Sequence, residues 1–104
     1  MAEYLVSFRV ASEDLALSEE KRRQSIYDAV LEVECWAETT SLLIIRCDQA
    51  IVELMRILTQ KLDERFDMML IRRVGYKKTI FWGSMTQDTT LIDLVPDARR
   101  VSFS

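Results

Sequence analysis

The sequence predicts an α+β fold. Three observations carry it: a clean apolar alternation at the start of the chain, two stretches with helical apolar spacing, and a polar turn between two β-branched and aromatic runs. In chain order they read strand, helix, hairpin, helix, strand within the first 75 residues. A chain of 104 residues, 49% hydrophobic and 30% charged, is globular in composition and long enough to bury one core as a single domain over 1–104.

Residues 4–10 alternate. Tyr4, Val6, Phe8 and Val10 share one face; Leu5, Ser7 and Arg9 share the other. The first face is the larger and more apolar, so it is expected to meet the helices. After a polar loop over 12–17, Ser18 is a capping residue, and Glu19 and Glu20 favour the first helical turn. Ile26, Val30 and Val33 form the buried stripe of this helix, with Lys21, Arg22, Arg23 and Asp28 on its solvent side.

The segment ECWAETTSLLIIRCD reads as two strands turning through Glu38, Thr39, Thr40 and Ser41. Residues 42–45 are apolar on both faces, which predicts a strand covered on both sides. Asp48 is the expected cap of a second helix. Its stripe is Ile51, Met55, Leu58 and Leu62, widened by Val52, Leu54 and Ile57. Residues 68–74 form the fourth strand, which Gly75 ends or bulges, and 76–82 a short fifth. The tail offers one helical turn before Pro96 and an extended 100–103. The order specifies a ferredoxin-like (βαββαβ) arrangement: a four-stranded antiparallel sheet with two helices on one face, a core over 4–75, and a C-terminal strand and tail over 76–104.

Such a sheet leaves its second face bare. Leu5, two of residues 42–45, and Met69 and Ile71 or their neighbours would line it. Exposed apolar surface of this kind is normally covered, and two-fold homodimers are the commonest cover. The expected interface residues are Leu5, Ile44, Ile45 and Trp82.

A net charge of −3 gives no bulk attraction to nucleic acid. The N-terminal apolar run is too short and too charged for a signal peptide or a membrane span. Cys35 and Cys47 belong to no paired-cysteine motif and read as reduced thiols of a cytoplasmic protein. There is no histidine and no Gly-rich loop. Ser25, Thr39, Thr40 and Ser41 therefore have no visible base to activate them as nucleophiles.

YLVSFRV, WAETTSLLIIRCD, LDERFDMMLIRRV and TIFWG resemble the small Cas2-like proteins, with their SinR-annotated and VapD-like relatives, over residues 4–83. The resemblance implies a ferredoxin-like homodimer. Within that group it implies one of three roles: a metal-dependent nuclease of RNA or DNA, a scaffold in CRISPR adaptation and antiviral defence, or a toxin. The catalytic Asp follows a Tyr at the end of the first strand of the family; the matching positions here are Phe8 and Arg9. A guanidinium repels Mg²⁺, so the implied reading is a non-catalytic homodimeric scaffold without cofactor, contacting nucleic acid or a protein partner in a mobile-element or defence system. Two alternatives stand beside it: a Mg²⁺-dependent endoribonuclease using displaced carboxylates, and a protein-binding regulator that contacts no nucleic acid.

The candidate nucleic-acid contacts are Arg9 and the cluster Arg72, Arg73, Tyr76, Lys77 and Lys78, cations with an aromatic ring for stacking. The plainer readings are an ion pair of Arg9 with a carboxylate such as Glu38, and a basic cluster that guards an exposed strand edge. Glu13 and Asp14 are the nearest replacements for the missing metal ligand, and Asp63, Glu64 and Asp67 form the next acidic set; the preferred reading is a solvated loop for the first and a solvated turn for the second. Trp36 and Trp82 are packing or interface anchors.

Overall fold

The computed structural model describes residues 1–103. Its elements are β1 (Ala2–Arg9), α1 (Glu19–Asp28), β2 (Glu34–Trp36), β3 (Leu42–Cys47), α2 (Ile51–Thr59), β4 (Met68–Arg73), β5 (Thr79–Gly83), α3 (Asp88–Leu94) and β6 (Ala98–Arg100). The α+β class and the order of the first six elements follow the sequence pattern. The sheet does not stop where the pattern does. It has six strands in the order β2-β3-β1-β4-β5-β6, and β6 lies parallel to β5, so the sheet is mixed. The four-stranded antiparallel sheet with a fifth strand and a tail is corrected accordingly.

The correction has a physical source in the tail. Ala98 is buried opposite Thr79, and the Val101 N–H donates to the Phe81 carbonyl, so the segment after Pro96 pairs with β5. The single helical turn anticipated before Pro96 is a helix, α3, which bridges β5 and β6. All five residues of β5 are buried.

The core lies between the sheet and the pair α1–α2. Tyr4, Val6 and Phe8 of β1 meet Leu43 and Ile45 of β3, Met69 and Ile71 of β4, and Ile80 and Trp82 of β5 on one face. Ile26 of α1 and Ile51, Leu54, Met55 and Leu58 of α2 close over them. Met69 and Ile71 therefore face the helices; their neighbours Met68 and Leu70 occupy the second face.

Helix α1 is shorter than its spacing implied. Ser18 caps it, its hydroxyl accepting from the Lys21 N–H at 3.2 Å, but it ends at Asp28, and Val33 lies beyond it, exposed. Asp48 does not cap α2; Ala50 stands at that position. Val52 is exposed rather than part of the apolar stripe. Strand β3 is covered on one face only, with Leu43 and Ile45 buried and Ile44 38% exposed. Arg22, expected in solvent, is 1% exposed, and Asp67, expected in a solvated turn, is fully buried beside it.

Candidate functional site

The second sheet face is half covered. Helix α3 forms a groove with Met68 and Leu70 of β4, so it stands on the face opposite α1 and α2. The half built by β2, β3 and β1 has no helix over it among the described residues. Register places Trp36, Leu42, Ile44 and Leu5 together there, with Leu70 of β4 at its border with the α3 groove. Trp36 is 43% exposed, and Leu5, Leu42 and Leu70 are half-buried. One end of this surface carries charge: Arg46 pairs with Glu3 at 3.1 Å and with Glu34 at 3.2 Å. An open cleft lined by Glu3, Glu34, Trp36, Ile44 and Arg46 marks that end.

The four expected interface residues divide. Leu5 and Ile44 lie on the open face. Ile45 and Trp82 do not: both are packed in the core against α1 and α2. Ile45 is one residue out of phase with Ile44, and the strand period of two sends it to the other side. Trp82 sits opposite Met69, which faces the helices. Trp36 takes the anchor position on the open face, paired with Ile44 across the β2–β3 hairpin.

The basic cluster is dispersed by the strand geometry. Arg72, on the open face, donates to Thr79 Oγ1 at 2.7 Å and pairs with Asp97 at 3.3 Å. Arg73, on the helix face, stacks its guanidinium over Tyr76, 4.0 Å from the ring centroid. Its Nε is buried without a hydrogen-bond partner among the described residues. Lys77 and Lys78 are exposed in the β4–β5 turn, with no ion pair among the described residues. Of the five cluster residues, these two lysines remain free to meet a phosphate.

Arg9 closes β1 on the open face. Glu38 is not its partner. Its Nη2 donates to the Ser84 carbonyl at 2.8 Å, and it has no ion pair among the described residues. It lines the end of the α3 groove, and its residue also borders a second cleft with Phe8, Arg23, Tyr27, Thr40 and Ser41.

The acidic candidates do not converge. No group of three or more possible metal-ligating residues comes together among the described residues. The Glu13 and Asp14 side chains are exposed, and the Glu13 carbonyl is held by Arg22 Nη1 at 2.9 Å. Asp63 is bonded by Arg65, whose side-chain and backbone donors hold its carboxyl down at about 2. Asp67 is enclosed by Arg22 and by the Ala11 and Asp63 N–H groups. Burial pushes the Cys35 thiol up, against thiolate formation.

The sequence reading missed the α3 side of this face, namely Met85, Leu91 and Leu94. The signal was the spacing of Leu91, Leu94 and Val95, which is short for a helix and reads as a turn. No helix of the described residues is long and apolar enough to cross a membrane. No family model, curated protein or solved structure matches the chain.

Proposed function

We propose that this protein is a non-catalytic homodimeric scaffold of the Cas2-like kind, built on a ferredoxin-like core of β1 to β4 with α1 and α2. The observation that supports it best is the uncovered apolar half of the second sheet face, with Trp36, Ile44, Leu42, Leu5 and Leu70 in one surface. Apolar surface of this continuity favours a protein cover. Helix α3 rises as a step from the other half of the face. A second copy related by a two-fold axis parallel to the strands sets its α3 beside the β2 edge of the first. That arrangement brings the exposed Leu94 of α3 towards Trp36 of the partner copy, apolar side chain against apolar side chain.

With Arg9 in place of a metal-binding carboxylate, this reading assigns no hydrolytic step. Contact with a nucleic-acid backbone falls to Lys77 and Lys78 in the turn, doubled by the two-fold. The setting implied by the resemblance is a mobile-element or defence system, with CRISPR adaptation among its forms.

Light scattering after size exclusion tests the assembly. The wild type is expected to elute as a dimer at micromolar concentration, and Ile44→Asp as a monomer with an unchanged far-ultraviolet spectrum. A monomeric wild type overturns the reading.

A further inference from the structure

The geometry points to a binding groove for a small apolar monocarboxylate, between α3 and the open sheet face, with Arg9 as the carboxylate anchor. The groove is a cavity of about 390 Å³, within the size range of small-molecule sites. Met68 and Leu70 form its floor, and Leu91, Leu94 and Met85 its wall. The polar lining is Arg9, Thr86, Gln87 and Thr90, with no acidic residue. An apolar cavity with a few convergent polar groups is the usual form of a site for a small ligand.

The character of the head group follows from Arg9. Seven of the ten arginines pair with carboxylates: Arg22 with Asp67, Arg23 with Glu19, Arg46 with Glu3 and Glu34, Arg56 with Glu53, Arg65 with Asp63, Arg72 with Asp97 and Arg100 with Asp88. Arg9 donates once, from Nη2 to the Ser84 carbonyl, which fixes its head at the mouth of the groove beside Met85. Its other N–H donors have no acceptor among the described residues. A guanidinium presents paired donors that match the two oxygens of a carboxylate. One cation and no second base in the lining select a singly charged head, and the apolar floor and wall select an aliphatic tail. Leu70 and Leu94 of this lining also belong to the surface proposed to meet a second copy, so ligand site and dimer share that side of the groove.

The probe is decanoate, read by nuclear magnetic resonance of the wild type carrying carbon-13 in its methionine methyls. The chain has five methionines. Met68 and Met85 line the groove, Met55 and Met69 are in the core, and Met1 is exposed at the chain start. Decanoate below its aggregation concentration is expected to move the Met68 and Met85 resonances saturably and to leave the other three in place. Decanol is expected to bind about tenfold more weakly, and Arg9→Ala to lose a similar factor for decanoate. Arg9→Glu is expected to prefer decylammonium. The inference is overturned by no movement in the wild type, by equal affinity for decanol and decanoate, by movement of all five methyls alike, or by Arg9→Ala binding decanoate as the wild type does. The comparison of decanoate with decanol needs no variant, so a poorly folded Arg9 variant leaves the test standing. Light scattering on the same samples reads the assembly separately and distinguishes a failed dimer from a failed ligand site.

Discussion

Arg22 and Asp67, 45 residues apart, form a buried ion pair, with Nε 3.1 Å from Oδ2 and almost no solvent on either side chain. The guanidinium also donates to the carbonyls of Ala11, Glu13 and Leu17. The carboxylate accepts from the N–H groups of Ala11 and Asp63. One pair thus ties the loop after β1, helix α1 and the approach to β4 into a single junction. Buried charges are costly unless their hydrogen-bonding capacity is met, and here it is met almost wholly by the chain itself.

Breaking the junction from one side strands the other charge. Arg22→Met and Asp67→Leu are each expected to destabilise the fold by about 3–5 kcal/mol. The combination Arg22→Met with Asp67→Leu should cost clearly less than the sum of the two single effects, because no bare charge remains. Urea denaturation of the set checks this. Single variants within half a kcal/mol of wild type would show that the pair is dispensable.

The two glycines separate conformation from space. Gly83 has φ +95, and an added Cβ would lie 2.1 Å from the Asp67 carbonyl oxygen; Gly75 has φ +84 with nothing within 4 Å. Gly75→Ala is expected to cost about 1 kcal/mol for the left-handed backbone alone. Gly83→Ala adds a backbone clash and should cost about 3 kcal/mol or more. Thermal melts of both variants settle the order, and equal costs would contradict it.

Asp63 gives a pH dependence with a definite sign. Hydrogen bonds from the Arg65 side chain and backbone N–H lower its carboxyl from 3.8 to about 2. The unfolded chain then holds the proton more tightly than the folded one, so the stabilising contribution is complete above pH 3.8 and is lost as pH falls towards 2. Solvent around the exposed Arg65 keeps it small. In Arg65→Ala the Asp63 carboxyl should titrate nearer 3.8 in a carbon-detected titration. An unmoved midpoint would remove Arg65 as the cause.

Backbone binding by the β4–β5 turn is expected to be weak, independent of sequence and steeply salt-dependent. Because Arg72 is paired with Asp97 and Arg73 lies on Tyr76, Arg72→Ala should leave the salt slope for a labelled duplex nearly unchanged. Lys77→Ala with Lys78→Ala should lower it by roughly one unit per lost contact. Absence of binding at about 50 mM salt, where such contacts are strongest, would leave the turn only as a guarded strand end.

Much of the architecture was legible in local pattern. The alternation of Tyr4, Val6 and Phe8, the cap at Ser18 and the stripe of Ile51, Met55 and Leu58 are set by side-chain periodicity, which a sequence displays directly. On the candidate site, the phase of β1 was readable: Leu5 and Arg9 had to share the face opposite Tyr4. The phase of β3 was not, because an unbroken apolar run marks no face; only pairing of Leu5 with Ile44 turned Ile45 inward.

The sequence by itself determined the α+β class, the order of its first six elements and the strand face that carries Arg9. Tertiary structure alone decided that Arg22 is buried, since its partner Asp67 is distant in the chain and a helical arginine reads locally as solvated. It alone paired the tail with β5 as β6 and extended the expected turn into α3, because a three-residue strand and a seven-residue helix form through the packing they join rather than through intrinsic propensity. The groove beside Arg9 exists for the same reason: its floor and wall come from segments that meet only in the folded chain.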